Sequence, residues 1–71
     1  MMEELNRQKL AGEKLRLLIK QKYNSQEEFA YDFGAEPRTV SRYINNGINK
    51  ISIIQELADY FQVDFIFFFT E

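Results

Sequence analysis

A chain of 71 residues is one domain at most, too short for a catalytic cleft between lobes and close to the lower limit for a self-sufficient core. Its 45% hydrophobic and 28% charged residues place it with folded globular proteins, and a net charge of −2 argues against an all-over basic nucleic-acid binder. With no cysteine and no histidine it lacks disulfides, thiolate nucleophiles, the usual zinc ligands and the usual general base near neutral pH, so no metal, no cofactor and no enzymatic activity is expected.

Taken in order, residues 3–22 carry a helical pattern whose apolar stripe is Leu15, Leu18 and Ile19, with Leu5 and Leu10 continuing it less regularly. Gly12 weakens a helix by about 1 kcal/mol against alanine. The main domain is therefore expected from residue 12, with residues 1–11 as an N-terminal arm or an extension of the first helix. The Met1-Met2-Glu3-Glu4 start does not read as a signal peptide.

Asn24-Ser25-Gln26-Glu27-Glu28 is a helix start. The Ser25 hydroxyl is expected to accept from the Glu28 amide, and the Glu28 carboxylate to accept from the Ser25 amide in return. Glu27 and Glu28 read as capping acids suited to the positive helix end, not as a catalytic pair. Phe29, Ala30 and Phe33 form the buried edge, and Gly34 closes the helix. Pro37 suits the first position of the next helix, with Glu36 as its cap.

The segment Pro37-Arg38-Thr39-Val40-Ser41-Arg42-Tyr43-Ile44-Asn45 has one apolar edge, Val40 and Ile44, and one polar, basic edge carrying Arg38, Thr39, Ser41, Arg42 and Asn45. Asn45-Asn46-Gly47 ends it, and Asn49 or Ser52 is expected to cap a fourth helix built on Ile51, Ile54, Leu57, Ala58 and Phe61. Tyr31 and Tyr43, spaced along helices, read as partial core. The terminal run Phe65-Ile66-Phe67-Phe68-Phe69 fits either a buried strand or a last helical turn and is far too short to span a membrane, so the chain is expected to be cytoplasmic. With a period of two or of 3.6, five consecutive large apolar side chains do not all point inward. The run reads either as the lid of this domain's own core or as a contact: part of it, in the segment 64–71, is expected to meet a partner, preferably a second copy through Phe65, Ile66, Phe67, Phe68 and Phe69, with the rest of a larger chain as the other candidate.

Charge is unevenly spread. Residues 12–23 hold Lys14, Arg16, Lys20 and Lys22 against Glu13, and residues 37–50 hold Arg38, Arg42 and Lys50 with no acid, so each segment is +3. Glu27, Glu28, Asp32 and Glu36 make residues 24–36 −4, as do Glu56, Asp59, Asp64 and Glu71 for residues 51–71. Should the fold bring the basic segments to one face, the molecule is a dipole able to steer onto phosphate.

From Gly12 to about Val63 these residues resemble the helix-turn-helix domains of the phage repressor and Cro type, the XRE-like family. Gly12-Glu13-Lys14-Leu15-Arg16 is similar to the opening of its first helix, and Ser25-Gln26-Glu27-Glu28-Phe29-Ala30 to the start of its second. Gly34-Ala35-Glu36-Pro37-Arg38-Thr39-Val40-Ser41-Arg42 resembles the turn and reading helix, and Leu57-Ala58-Asp59-Tyr60-Phe61-Gln62-Val63 the fourth helix. The resemblance implies an all-α, compact bundle of four to five short helices with residues 12–63 as the DNA-binding domain and the third helix, about 37–45, in the major groove.

It further implies that Gln26 contacts phosphate and that Pro37, Arg38, Thr39 and Arg42 face bases or backbone. Proline offers no polar base contact, which shifts base reading to Arg38 and Arg42, whose forked guanidinium groups suit guanine O6 and N7. Thr39 and Ser41 reach phosphate or a thymine methyl. The chain departs from the family pattern at Tyr23-Asn24, where a glycine and an apolar residue are common, and at Ile44, where an acid is. The function so implied is a dimeric, sequence-specific repressor of phage or mobile-element type acting on double-stranded DNA. The competing expectation is a protein-binding module on the same scaffold, an antirepressor or antitoxin, which the acidic overall balance favours.

Overall fold

The computed structural model describes residues 2–70, with side chains from Asn6 onward, so Leu5 falls outside the described side chains. Four helices follow one another: α1 (Met2–Lys22), α2 (Gln26–Phe33), α3 (Pro37–Asn46) and α4 (Ile51–Phe61), with a terminal 3-10 helix over Phe65–Phe69. The chain is thus an all-α bundle of four short helices and a helical turn, and no strand occurs among the described residues. α3 packs against both α1 and α2, while the 3-10 helix closes over α1 and α4.

The helix boundaries follow from local chemistry. Ser25 caps α2, its hydroxyl accepting from the Glu28 amide at 3.2 Å, and Gly34 ends that helix in the left-handed conformation at φ 88°. The Glu28 carboxylate accepts from the amide of Asn24 at 3.3 Å, not from that of Ser25, so the reciprocal half of the cap is set back by one residue. Pro37 opens α3 after Glu36, which gives no side-chain cap, and α3 runs on to Asn46. Neither Asn49 nor Ser52 caps α4; Lys50 holds the cap position with an extended backbone and no side-chain bond.

α1 passes through Gly12 without a break, because the glycine serves packing. A Cβ at Gly12 would overlap the Tyr43 carbonyl oxygen and stand 3.1 Å from that of Ile44. At Gly47 the φ is 99° and a Cβ would lie 2.6 Å from the carbonyl oxygen of Gln8, while the next amide, Ile48, donates to that same oxygen at 3.0 Å. The two missing side chains let the C-terminal end of α3 lie directly on α1.

The core is one cluster that includes Leu15, Phe29, Val40, Ile48, Ile54, Leu57 and Phe68. Phe29 is its aromatic centre, stacked on Phe33 at 5.2 Å and Phe61 at 5.3 Å and met edge-on by Tyr23 at 5.6 Å and Tyr60 at 5.8 Å. Such pairs add about 0.5–1.5 kcal/mol each beyond their buried area. Tyr23 also shares a 2.6 Å hydrogen bond with Tyr60 across the bundle, which gives this residue its place where the resembling family has a smaller one.

The terminal aromatic run takes the helical of the two forms that its sequence fits. Phe68 is fully buried, and Phe65, Phe67 and Phe69 are half-buried against the core, leaving Ile66 alone exposed at 61%. A 3-10 helix repeats every three residues, so Phe65 and Phe68 eclipse on the inner face, a geometry intermediate between the two periods considered from sequence. The run is mainly the lid of its own domain, and Phe68 is unavailable to any partner. Tyr31 departs in the opposite sense: it is 78% exposed on the outer side of α2, while Tyr43 is half-buried as expected.

Candidate nucleic-acid interface

α3 is the element through which the polar residues reach solvent. At about 100° per residue, Val40 and Ile44 fix its inner side and Arg42 falls opposite them. Val40 is buried and Ile44 half-buried, whereas Arg38, Arg42 and Asn45 are exposed. Thr39 and Ser41 are half-buried at the edges of that outer side, so the six polar positions from Arg38 to Asn46 spread over about 160° of the helix circumference. Asn45 donates from Nδ2 to the Ser41 hydroxyl at 3.3 Å, which joins one edge of this surface into a unit. With side chains an α-helix such as α3 is about 10–12 Å across, which a major groove about 12 Å wide admits.

Three recesses flank these residues. Thr39 and Arg42 line one of about 390 Å³ together with Asn46, Asn49 and Lys50, three residues that the sequence reading did not single out as contacts. The turn after α3 swings Asn49 and Lys50 there because the Ile48 amide donates to the Gln8 carbonyl of α1 and Gly47 lies against that same residue. Arg38 sits apart, in an open recess with Glu36 and Pro37. Gln26 lies in a third, of about 240 Å³, where Arg16 and Lys20 of α1 meet the start of α2.

This third recess unites two favourable features for an anion. Arg16 and Lys20 bring positive charge, and the first turn of any helix has amides without intrahelical partners. Ser25 engages the Glu28 amide, while Glu27 and Glu28 lie in the same turn and lower the local potential. The basic residues of 12–23 do not all converge here: Lys14 stands elsewhere, its Nζ 5.0 Å from the centre of the Phe67 ring. The signal for Arg16 and Lys20 was present in their spacing of four on one helix side, but only the tertiary fold sets them beside Gln26.

Among the described residues no group of three or more Asp or Glu side chains is placed to hold a metal ion, and no helix is long and apolar enough to cross a membrane. The Tyr23 hydroxyl titrates well above the usual tyrosine range, pushed there first by its hydrogen bond to Tyr60 and then by burial, and it belongs to the packing of the α1 end against α4. Comparison with known proteins gives no match: no family model, no curated protein and no solved structure matches this chain.

Proposed function

We propose that this protein is a sequence-specific DNA-binding regulator, a repressor that acts in the cytoplasm by covering a promoter. The observation that carries the reading is the outer side of α3, where Arg42 stands opposite Val40 and Ile44 and is flanked by Arg38, Thr39 and Asn45. Such a helix, buried along one edge and offering forked and amide donors along the other, suits base edges in a major groove. Arg42 and Arg38 read guanines, and Asn45 and Thr39 adjoin them. Gln26, with Arg16 and Lys20, takes one phosphate, and Lys50 a second beside Arg42. Two copies bind a palindromic site with half-sites about one helical turn apart, and Ile66, the exposed member of the terminal run, belongs to their contact.

Selection of duplex sequences from a random pool with purified protein tests this directly. One palindromic site emerges, and binding to it falls steeply with salt. Arg38→Ala or Arg42→Ala each costs about 1–3 kcal/mol on that site. Unchanged affinity in both variants refutes the assignment of α3. The second reading, a protein-binding antirepressor or antitoxin, draws on Tyr31, exposed at 78% beside the acids of α2, and on the net charge of −2. It predicts a stable hetero-complex and no salt-sensitive DNA affinity.

A further inference from the structure

The side of α1 that faces away from α3 holds a groove unrelated to the proposed DNA surface. Gln8 and Gly12 face α3, as their contacts with Gly47 and with the Tyr43 and Ile44 carbonyls show. At about 100° per residue, Leu10 and Leu17 fall on the opposite side of the helix. There they and Phe69 line an open recess of about 810 Å³. Leu10 and Phe69 are half-buried, and Leu17 is 47% exposed, although every turn of α1 has polar residues that could have taken its place. Leu10 and Leu17 lie seven residues apart, in line along the helix, which is the spacing of a seam that receives another helix.

The rim is positive. Among the described side chains Arg7, Lys9 and Lys14 line the recess against one acid, Glu13, in a chain whose net charge is −2. Lys14 is held at the edge, its Nζ over the Phe67 ring at 5.0 Å, an attraction that fixes a cation beside the apolar floor. Duplex phosphate would match the rim but would gain nothing from Leu10, Leu17 and Phe69. An apolar partner without charge would match the floor and leave the cations unused.

We infer that this groove binds an acidic amphipathic helix from a protein partner, its leucine-like residues on Leu10, Leu17 and Phe69 and its carboxylates against Arg7, Lys9 and Lys14. From Asn6 to Leu17 the groove extends about 17 Å, which accommodates about three turns of helix. The site lies on the far side of α1 from α3, so occupancy leaves Arg38 and Arg42 free, and the inference does not rest on the DNA reading. A regulator built this way engages nucleic acid and a protein partner at once.

The test uses the full chain and a fluorescent peptide of about 14 residues with leucines at i, i+3 and i+7 and glutamates between them, titrated by anisotropy. The peptide binds with a dissociation constant below about 100 µM. Leu17→Glu weakens it at least about tenfold, and Lys14→Glu does the same at low salt. Both substitutions are at the surface, and circular dichroism checks that each variant is folded; Arg7→Glu serves in place of one that is not. A peptide with the same leucines and lysines for glutamates does not bind. The inference is overturned by equal affinity for the acidic and basic peptides, by wild-type affinity in the folded variants, by displacement of the peptide with duplex DNA, or by absence of peptide binding alongside tight binding to vesicles of anionic lipid.

Discussion

Replacing Gly12 with alanine sets local helix propensity against tertiary packing, and the two predict opposite signs. In an isolated helix the change stabilises by about 1 kcal/mol. In this bundle the new methyl would overlap the Tyr43 carbonyl oxygen and press on that of Ile44, 3.1 Å away. Restoring an ordinary carbon–oxygen separation of about 3.3 Å requires the end of α3 to retreat by about 1 Å. The obstacle is helix backbone, pinned about one turn earlier on α1 by the 3.0 Å bond from the Ile48 amide to the Gln8 carbonyl, so no side-chain rotation relieves it. Overpacking of this kind costs about 1–3 kcal/mol, and a rigid neighbour puts it at the upper end.

Subtracting the propensity gain leaves a net loss of about 2 kcal/mol for Gly12→Ala. A domain of this size holds about 4–10 kcal/mol in all, and each kcal/mol moves its Tm by about 4–8 °C. The expected drop is therefore about 8–16 °C, read by differential scanning calorimetry and confirmed by a lower denaturant midpoint at unchanged slope. The same displacement re-aims Arg42, one residue before Tyr43, so on the proposed DNA-binding reading affinity for the selected site also falls, although Gly12 is buried on the other helix. A Tm equal to or above that of the natural sequence would refute the close approach of α1 and α3.

Ser25→Ala removes the hydroxyl that caps the Glu28 amide and lowers stability by about 1 kcal/mol, measurable by urea titration; no change would mean that water replaces the cap without loss. Tyr23 titrates well above the usual tyrosine range because its neutral hydroxyl bonds Tyr60. A raised folded value means that this stabilisation is complete below the unfolded value of about 10 and is lost as pH rises towards the folded one. Stability should thus fall above about pH 10 in the natural protein and fall less in Tyr23→Phe, as followed by thermal melts across that range. Ile66→Asp leaves the monomer fold within about 0.5 kcal/mol, since the side chain is exposed, and on the proposed homodimer it shifts sedimentation towards monomer; a dimer that survives it does not use Ile66.

The parts of this fold that were legible in the sequence are those decided within one turn of chain. Ser25 before two glutamates, Gly34 after Phe33, and Pro37 ahead of Val40 each mark a helix end by a local need for a cap, a left-handed residue or a missing amide, and all three stand where that need places them. What escaped was settled between elements. Gly12 reads locally as a weak point, yet it is where two backbones touch. Tyr23 and Tyr60 are 37 residues apart, so no local pattern pairs them.

The candidate surface divides along the same line. Arg38, Thr39, Ser41, Arg42 and Asn45 share one helix, and periodicity alone puts them on one side. Asn49 and Lys50 join Arg42 only because Gly47, with its positive φ and absent Cβ, lets the chain double back against Gln8. Arg16 and Lys20 join Gln26 only because the aromatic cluster around Phe29 pins the α1–α2 turn. The cations best placed to hold phosphate are therefore set by glycine and phenylalanine, residues with no charge. On the proposed DNA-binding reading, substitutions at Gly47 or Phe29 accordingly weaken salt-dependent binding as surely as removal of a lysine, and through loss of position, not of charge.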